Sequence, residues 1–197
     1  MDALSIIDKL LIDQNGIVRT ADVVNAGISR TTLCALVKNG KLERIAHGQY
    51  IYPNNIADEL LMLQQRSEKI IFSHETALFL HDMAERTPLL HSLTIPSNGK
   101  LSPILSNGCK IHYVKPELYV LGRCTLQSKM GNEIVAYDAE RTICDVLRSR
   151  SRIDSQIFAE AMKSYAARKT QDWNKLREYA DAFHIIKLLR QYLEVLV

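Results

Sequence analysis

One segment, residues 20–52, constrains the fold more than any other part of this 197-residue chain. It reads TADVVNAGISRTTLCALVKNGKLERIAHGQYIY, in which Ala-Gly-Ile interrupts two short helical patterns. Gly27 suits the tight turn between them because glycine tolerates positive φ, and Ser29 can cap the helix that continues to Asn39. The run from Leu42 to Tyr52 then predicts two short strands around Ala-His-Gly-Gln.

Another helix is predicted ahead of this segment. Residues 3–13 carry apolar side chains at helical spacing, namely Leu4, Ile7, Leu10 and Leu11. Asn15-Gly16 ends this pattern, and Thr20 can cap the helix that follows. Three helices followed by a β-hairpin, in that order, predict a winged helix-turn-helix.

The helix from Ser29 to Asn39 has two unlike faces when it is drawn at about 100° per residue. Its apolar face must pack against the first two helices and consists of Leu33, Leu36 and Val37. The opposite face carries short or basic side chains, namely Thr31, Cys34, Ala35 and Lys38, with Arg30 and Thr32 on its flanks. Short side chains allow close approach to another surface, and the major groove of B-DNA, about 12 Å wide, admits one helix.

These features predict a DNA-binding face. Short side chains near the helix start read base edges and basic side chains hold phosphates, while the histidine at the hairpin tip reaches a neighbouring groove or backbone. The predicted DNA-binding residues are Arg30, Thr31, Thr32, Ala35, Lys38, Lys41, Arg44 and His47. A module of three packed helices that mediates protein contacts is the alternative.

The charge distribution supports DNA binding only locally. Residues 30–44 contain four basic residues and one acidic residue, a net charge of +3. Residues 1–62 contain six basic and seven acidic residues, a net charge of −1. The N-terminal part is therefore not broadly basic, but it holds one basic stripe of the kind that a small DNA footprint needs.

A polar connector from Asn54 to Glu59 predicts two domains, a winged helix-turn-helix at 1–57 and a second domain at 58–197. The second domain is predicted to be a mixed α+β domain with a small sheet and a helical C-terminal part. Its predicted strands are 92–96, 110–114, 122–127 and 133–137, the last two joined by a turn at Met130-Gly131-Asn132. Its predicted helices are one that Ser73 caps, then 139–148, 155–166, 172–182 and 185–196.

No pattern in the chain predicts an enzyme, and neither a catalytic residue nor a metal or cofactor is expected. His74 and His81 lie seven residues apart on one predicted helix face, but the HExxH motif of metalloproteases is absent. Asp138 and Glu140 flank a predicted helix start, where the helix dipole favours carboxylates, and no lysine joins them as in a metal-dependent nuclease. A nuclease carried to DNA by the winged helix and a regulator that senses a small molecule are the two alternative functions.

Cysteine spacing and hydropathy predict the cellular compartment of the protein. The four cysteines include no CxxC pair, and no apolar run approaches the roughly 20 residues of a membrane helix. The acidic, amphipathic N-terminal residues are unlike a signal peptide. The sequence therefore predicts a cytoplasmic protein with reduced thiols and no membrane partner.

Four stretches of the sequence resemble a known family. They are AGISRTTLCALVKNGKLERIAHGQYIY, FSHETALFLHDM, HSLTIPSN and YDAERTICDVL. Together, in this order, they resemble the AbiEi family, the antitoxins of bacterial abortive-infection (AbiE-type, type IV) toxin–antitoxin systems. Members show a helix-turn-helix followed by an Arg-x-x-x-Gly-x-Tyr wing, which Arg44, Gly48 and Tyr50 match. Many relatives carry arginine where this chain has His47, and neutral histidine is the weaker phosphate ligand.

The resemblance implies two roles in defence against phage. The winged helix represses transcription of the protein's own operon, and the protein counteracts a nucleotidyltransferase-like toxin without forming a stable complex with it. A single winged helix covers only about 600–1,000 Å². We therefore expect an operator with inverted repeats and self-association of the protein on DNA.

The antitoxin role is expected to use exposed basic residues of the second domain, because a nucleotidyltransferase acts on phosphate-bearing substrates. Lys129 lies beside the predicted hairpin turn, and the densest basic run of the chain follows the helix at 139–148. The predicted antitoxin surface consists of Lys129, Arg148, Arg150 and Arg152. The alternative is a solvated helix end, where cations suit the helix dipole.

Overall fold

A computed structural model of the chain describes residues 2–196, without the side chains of residues 104 and 194–196. The described chain forms two compact units, which divide between Met62 and Leu63. We treat each unit separately. Whether DNA binding and antitoxin activity divide between residues 1–57 and 58–197 stays a prediction.

The first unit is a winged helix-turn-helix, as the sequence predicts. Its elements are α1 (Ala3–Asp13), β1 (Val18–Arg19), α2 (Thr20–Asn25), α3 (Arg30–Lys38), β2 (Glu43–Ala46) and β3 (Gln49–Ile51). The three strands form an antiparallel sheet in the order β1-β3-β2. Strand β1 was not predicted, because two residues between two helices show no periodicity that sequence reasoning can use.

The core of this unit comes from the apolar positions that the helical patterns predict. One cluster joins the three helices to the sheet and contains Ile7, Leu11, Val23, Leu33 and Leu42, all at most 3% exposed. Gly27 has a φ of +87° in the turn before α3. The Ser29 hydroxyl accepts a hydrogen bond from the Thr32 amide at 3.0 Å, so the predicted cap of α3 is present.

The predicted cap of α2 is wrong. Thr20 is the first residue of α2, and Arg19 occupies the capping position without a hydrogen bond from its side chain to the helix amides. The Arg19 guanidinium instead donates to both carboxylate oxygens of Asp22, at 2.7 and 2.9 Å. This bidentate contact lowers the pKa of Asp22.

The second unit is a mixed α+β structure, as predicted. Helix α4 (Glu59–Gln65) lies across the division, and the elements that follow are β4 (Ile71–Phe72), α5 (His74–Leu80), β5 (His91–Pro96), α6 (Pro103–Asn107), β6 (Cys109–Val114), α7 (Pro116–Tyr119), β7 (Arg123–Gln127), β8 (Glu133–Tyr137), α8 (Ala139–Arg148), α9 (Ser155–Ala167), α10 (Trp173–Ala182) and α11 (Ile186–Leu196). The five strands are ordered β6-β5-β4-β8-β7. The pairs β5–β6 and β4–β8 are parallel, whereas β4–β5 and β7–β8 are antiparallel.

Several features of this unit differ from the sequence predictions, which also lacked the short helices α6 and α7. The central strand β4 was missed, because it has only two residues and both are buried. Ser73 does not cap α5 through its side chain. Its hydroxyl accepts a hydrogen bond from Thr94 at 2.8 Å and lies 3.0 Å from Nδ1 of His74.

Helix α8 lies in the centre of the second unit. Every residue from Ala139 to Leu147 is buried, including the charged Glu140, Arg141 and Asp145. Arg141 approaches Gly122 so closely that a Cβ on Gly122, whose φ is +76°, would lie 2.5 Å from Cβ of Arg141. Buried charges cost free energy unless they are paired, so the partners of these side chains determine whether this core is stable.

Candidate nucleic-acid interface

The outer face of α3 is exposed. Thr31, Cys34, Ala35 and Lys38 are exposed, whereas Leu33 is buried and Leu36 and Val37 are half-buried. These exposures match the two faces of the helical wheel. The face that the sequence assigns to DNA is therefore accessible on this unit, and contact of these residues with DNA stays a prediction.

Thr32 differs from its neighbours on this helix. Its side chain is half-buried, and its hydroxyl lies 2.9 Å from the Ser29 hydroxyl, whose oxygen also accepts the Thr32 amide. Thr32 therefore takes part in capping the helix. The first turn leaves Arg30 and Thr31 as the more accessible candidates for contacts with base edges.

The cations of the basic stripe are mostly unpaired. Arg30, Lys38 and Lys41 are exposed, and their side chains have no hydrogen-bond or ion-pair partner within the described residues. Among the described residues, the Arg44 side chain donates to the Ala46 carbonyl alone, at 3.3 Å. Unpaired cations on one face retain their full charge for DNA phosphates.

The wing is tied to the helix-turn-helix. Strands β2 and β3 meet at His47-Gly48, where His47 is exposed and Gly48 has a φ of +73°. The Thr20 amide at the start of α2 donates to the Gly48 carbonyl at 2.9 Å. The tip that carries His47 is thus held against the start of α2, which fixes the direction in which the wing extends.

Removing one cation of this stripe is expected to change the salt dependence of DNA binding. For Lys41→Ala, the slope of log K against log salt concentration should fall by about 0.9, because one phosphate contact and its released counterion are lost. Fluorescence anisotropy titrations with a promoter duplex at several salt concentrations measure this slope. Lys187→Ala, which removes an exposed lysine of α11, is the control, and equal slopes for both variants would exclude a phosphate contact at Lys41.

The four residues of the predicted antitoxin surface do not form one patch. Near the β7–β8 turn, Nζ of Lys129 lies 2.5 Å from the Asp82 carboxylate and 5.2 Å from the centre of the Phe79 ring. Arg148 donates to Asp145 at 3.4 Å, and its guanidinium lies 4.3 Å from the Phe183 ring centre. The structure brings only Arg148 and Arg152 together, along one cavity.

Arg150 and Arg152 have different surroundings although they are two residues apart. Arg150 donates to the Leu147 carbonyl at 3.4 Å and lines a separate groove with Phe158 and Leu188. Arg152 is exposed, and its side chain has no partner among the described residues. Their roles as an antitoxin surface stay predictions.

His74 and His81, which share a helix face in the sequence pattern, lie in separate environments. Nε2 of His81 donates to the Tyr137 carbonyl at 2.8 Å. The His74 ring stacks on His112 with 3.5 Å between ring centres and contacts Ser149 at 3.0 Å. No group of three or more His, Cys, Asp or Glu side chains in the described part of the chain suits a metal ion.

The structure corrects one premise of the sequence analysis, because a lysine does join the carboxylates at the start of α8. Nζ of Lys175 lies 2.9 Å from Asp138 and 3.9 Å from Glu140. Asp138 also caps α8 by accepting from the Arg141 amide, and Glu140 accepts from the Tyr165 hydroxyl. The hydrogen bond with Asp138 raises the pKa of Lys175. The lysine and the two carboxylates thus contact one another and neighbouring groups of the protein, which favours a structural role for them.

The stacked histidines are expected to make the second unit sensitive to mild acid. Burial lowers the pKa of His74 to about 3 and that of His112 to about 4, against about 6.5 in an unfolded chain. Below pH 6.5 the unfolded state binds protons that the folded state does not. The free energy of unfolding therefore has its full value above pH 6.5. As the pH drops from 6.5 toward 3, His74 alone lowers it by about 1.4 kcal/mol per pH unit.

Urea unfolding at about pH 7 and about pH 5, followed by the fluorescence of Trp173, measures this loss in the second unit. His74→Asn should reduce the pH dependence, since asparagine accepts the left-handed φ of +47° at this position. His184→Asn is the matched control, because His184 also has a left-handed φ, +57°, but is exposed. A His74→Asn variant as acid-sensitive as the parent would contradict the prediction.

Comparison with known proteins finds a family match within the first unit. Residues 5–53 match the model of a family described as "Transcriptional regulator, AbiEi antitoxin". The resemblance is thus confirmed for the N-terminal segment, and the match supports a role as antitoxin and regulator in a family that is regulatory rather than catalytic. The other three stretches of the resemblance lie outside the matched range. No curated protein sequence matches the chain.

Among solved structures, the chain is similar to the RV2827C protein from Mycobacterium tuberculosis. The TM-score is 0.57 at 13% sequence identity, and the similarity covers 98% of this chain and 80% of that one. At this identity the likeness concerns the fold, which is α+β over both units. Within the described residues, no helix is both long and apolar enough to cross a membrane.

Proposed function

We propose, from the match of residues 5–53 to the AbiEi antitoxin regulators, that this protein is the antitoxin and transcriptional autorepressor of a type IV toxin–antitoxin operon. The first unit binds promoter DNA, with α3 in the major groove and the β2–β3 wing on the neighbouring backbone. The observation that carries this proposal is the exposed face of α3 together with Arg30, Lys38 and Lys41, whose side chains have no partner among the described residues. The protein binds an operator with inverted repeats and self-associates there, because one winged helix buries little surface.

The second unit counteracts the toxin, a nucleotidyltransferase-like enzyme that acts as a functional partner without a stable complex. The exposed basic side chains Lys129, Arg148, Arg150 and Arg152 support this assignment. They suit a nucleotide or RNA, which a nucleotidyltransferase also uses. The protein is therefore a binding protein in both roles, and it works in the cytoplasm where the operon is transcribed.

A cell-growth assay is expected to separate the two roles. A variant with alanine at Lys129, Arg148, Arg150 and Arg152 should fail to rescue cells that express the toxin, yet should still repress the promoter. A variant with alanine at Arg30 and Thr31 should rescue growth from an independent promoter but lose repression. These substitutions are at exposed positions, where typical changes in stability stay below about 0.5 kcal/mol, except at Arg148, which pairs with the buried Asp145 carboxylate and should lose about 1 kcal/mol or less.

Colony growth and the activity of a promoter reporter are measured in the same strains. Thermal melting of each purified variant is the control for folding. Full rescue by the fourfold variant would place the antitoxic site elsewhere in the second unit. Loss of both activities in either variant despite normal melting would mean that the two roles do not separate.

A further inference from the structure

The second unit contains a cavity whose lining includes two residues of the proposed antitoxin surface, Arg148 and Arg152. Its volume is about 320 Å³, at the lower end of the range of about 300–1,000 Å³ for ligand pockets. The end of α8 and the turn after it form one side, while the start of α5 and the edge strand β6 form the other. Its polar lining includes His74, His112, Arg148, Ser149 and Arg152.

The charged groups of this cavity leave an excess of positive charge. Arg141 and Asp145, both nearly inaccessible, form an ion pair at 3.1 Å. Arg148 and Arg152 also line the cavity, so three guanidinium groups face one carboxylate. The two histidines are uncharged near neutral pH because burial lowers the pKa of each. Such a lining favours an anion.

The uncharged groups supply further hydrogen-bond donors. Thr94 donates to Ser73, Ser73 lies 3.0 Å from Nδ1 of His74, and Nε2 of His74 lies 3.0 Å from the Ser149 hydroxyl. If each hydroxyl of this series donates one hydrogen bond, Ser73 donates to Nδ1 of His74, and Nε2–H of His74 donates to the Ser149 hydroxyl. The hydrogen of the Ser149 hydroxyl then points to the cavity. The chain of hydrogen bonds thus ends in a donor at the cavity.

Two further observations indicate that the site is incomplete without a ligand. Nε2 of His112 is buried and has no hydrogen-bond partner in the described part of the chain, and a buried polar atom without a partner is costly. His74, beside it, has the left-handed φ of +47°, a conformation that costs a non-glycine residue about 1–3 kcal/mol and that clusters at functional sites. Both features lie at the cavity rather than elsewhere on α5 or β6.

We infer that this cavity binds a nucleoside monophosphate, with the phosphate on Arg148, Arg152 and Ser149 and the base against the Tyr113 ring. Planar guanidinium groups pair with phosphate oxygens in a bidentate way. Tyr113 lines the cavity and is 60% exposed, and an exposed aromatic ring stacks on any base. The inference deepens the proposed function by naming the ligand of Arg148 and Arg152, and the binding itself requires no toxin. A free nucleotide and the phosphorylated end of an RNA share this chemistry.

Calorimetric titration of the full chain tests the inference. AMP is expected to bind at least about tenfold more tightly than adenosine, because hydrogen bonds to charged groups are the strong ones, and inorganic phosphate should compete with AMP. A pentanucleotide RNA with a 5′ phosphate that binds more tightly than AMP would identify an RNA end as the source, and the reverse order would identify a free nucleotide. Equal affinities for AMP and adenosine would overturn the inference.

Two arginines that differ in position provide a matched pair of variants. Arg152→Gln, at an exposed position, should weaken AMP binding at least about tenfold. Arg150→Gln, in the groove with Phe158 and Leu188, should change it much less. Equal losses in both variants, or no binding of AMP and phosphate by a protein with normal melting, would overturn the site. Because these titrations contain no toxin, intact AMP binding together with failed rescue would refute only the antitoxin proposal.

Discussion

Replacing Arg30 and Thr31 with alanine is expected to weaken binding to the promoter by at least about 30-fold while leaving the melting temperature almost unchanged. Both side chains are exposed in the first turn of α3, where a recognition helix makes its base contacts. Two base contacts at about 1–3 kcal/mol each account for this loss. Gel-shift titration with the protein's own promoter, with and without excess unrelated DNA, measures it.

The chain offers a close control for this experiment. Arg86 and Thr87 form the same pair of adjacent residues, and both are exposed in the second unit. Alanine at these two positions removes the same charge and hydroxyl, so it should leave promoter binding unchanged. Thr32 is kept in both variants because its contact with Ser29 belongs to the helix cap. Wild-type affinity in the Arg30/Thr31 variant would remove α3 as the reading helix.

The fold of the first unit was predictable because local signals agree there. Turn glycines, a capping serine and apolar residues at helical spacing all lie within about 50 residues of one another, and each depends on its near neighbours. The elements that the sequence analysis missed depend on contacts between residues that are distant in the sequence. Strands β1 and β4 have two residues each, so their presence depends on partners that are distant in the sequence. The cap assigned to Thr20 was wrong because α2 begins at Thr20 itself, with Arg19 in the capping position.

The candidate sites were predictable to a smaller extent. The exposed face of α3 follows from the period of a single helix, so a helical wheel was sufficient to predict which side chains are exposed. The cavity of the second unit joins His74, His112 and Arg152, which are far apart in the sequence, and no periodicity relates them. The same holds for Lys175, which reaches Asp138 from another helix. A basic run such as 148–152 indicates charge, but only the fold determines that Arg148 and Arg152 share a cavity while Arg150 lines another groove.

The largest loss of stability is expected from Arg141→Met in α8. Arg141 is fully buried and makes three kinds of contact. It pairs with Asp145 at 3.1 Å, donates to the carbonyls of Leu118 and Leu121 at 2.7 and 2.6 Å, and stacks on the Tyr137 and Phe183 rings. Methionine fills similar space but leaves the Asp145 carboxylate in the core, where the partly exposed Arg148 is its remaining ion-pair partner among the described residues. Removing one member of a buried ion pair typically costs about 3–5 kcal/mol.

Arg148→Met is the matched comparison, since Arg148 pairs with the same carboxylate but its side chain is 37% exposed against 1% for Arg141. Its loss should be about 1 kcal/mol or less, as for a solvent-screened pair. Urea unfolding followed by Trp173, the single tryptophan of the chain and a residue of the second unit, reports both values. Asp145→Leu added to Arg141→Met should restore part of the loss, because no buried charge then remains. The restoration stays partial, since the carbonyls of Leu118 and Leu121 still lack their donor. If Arg141→Met and Arg148→Met proved equally mild, the buried pair would not be what holds α8 in the core.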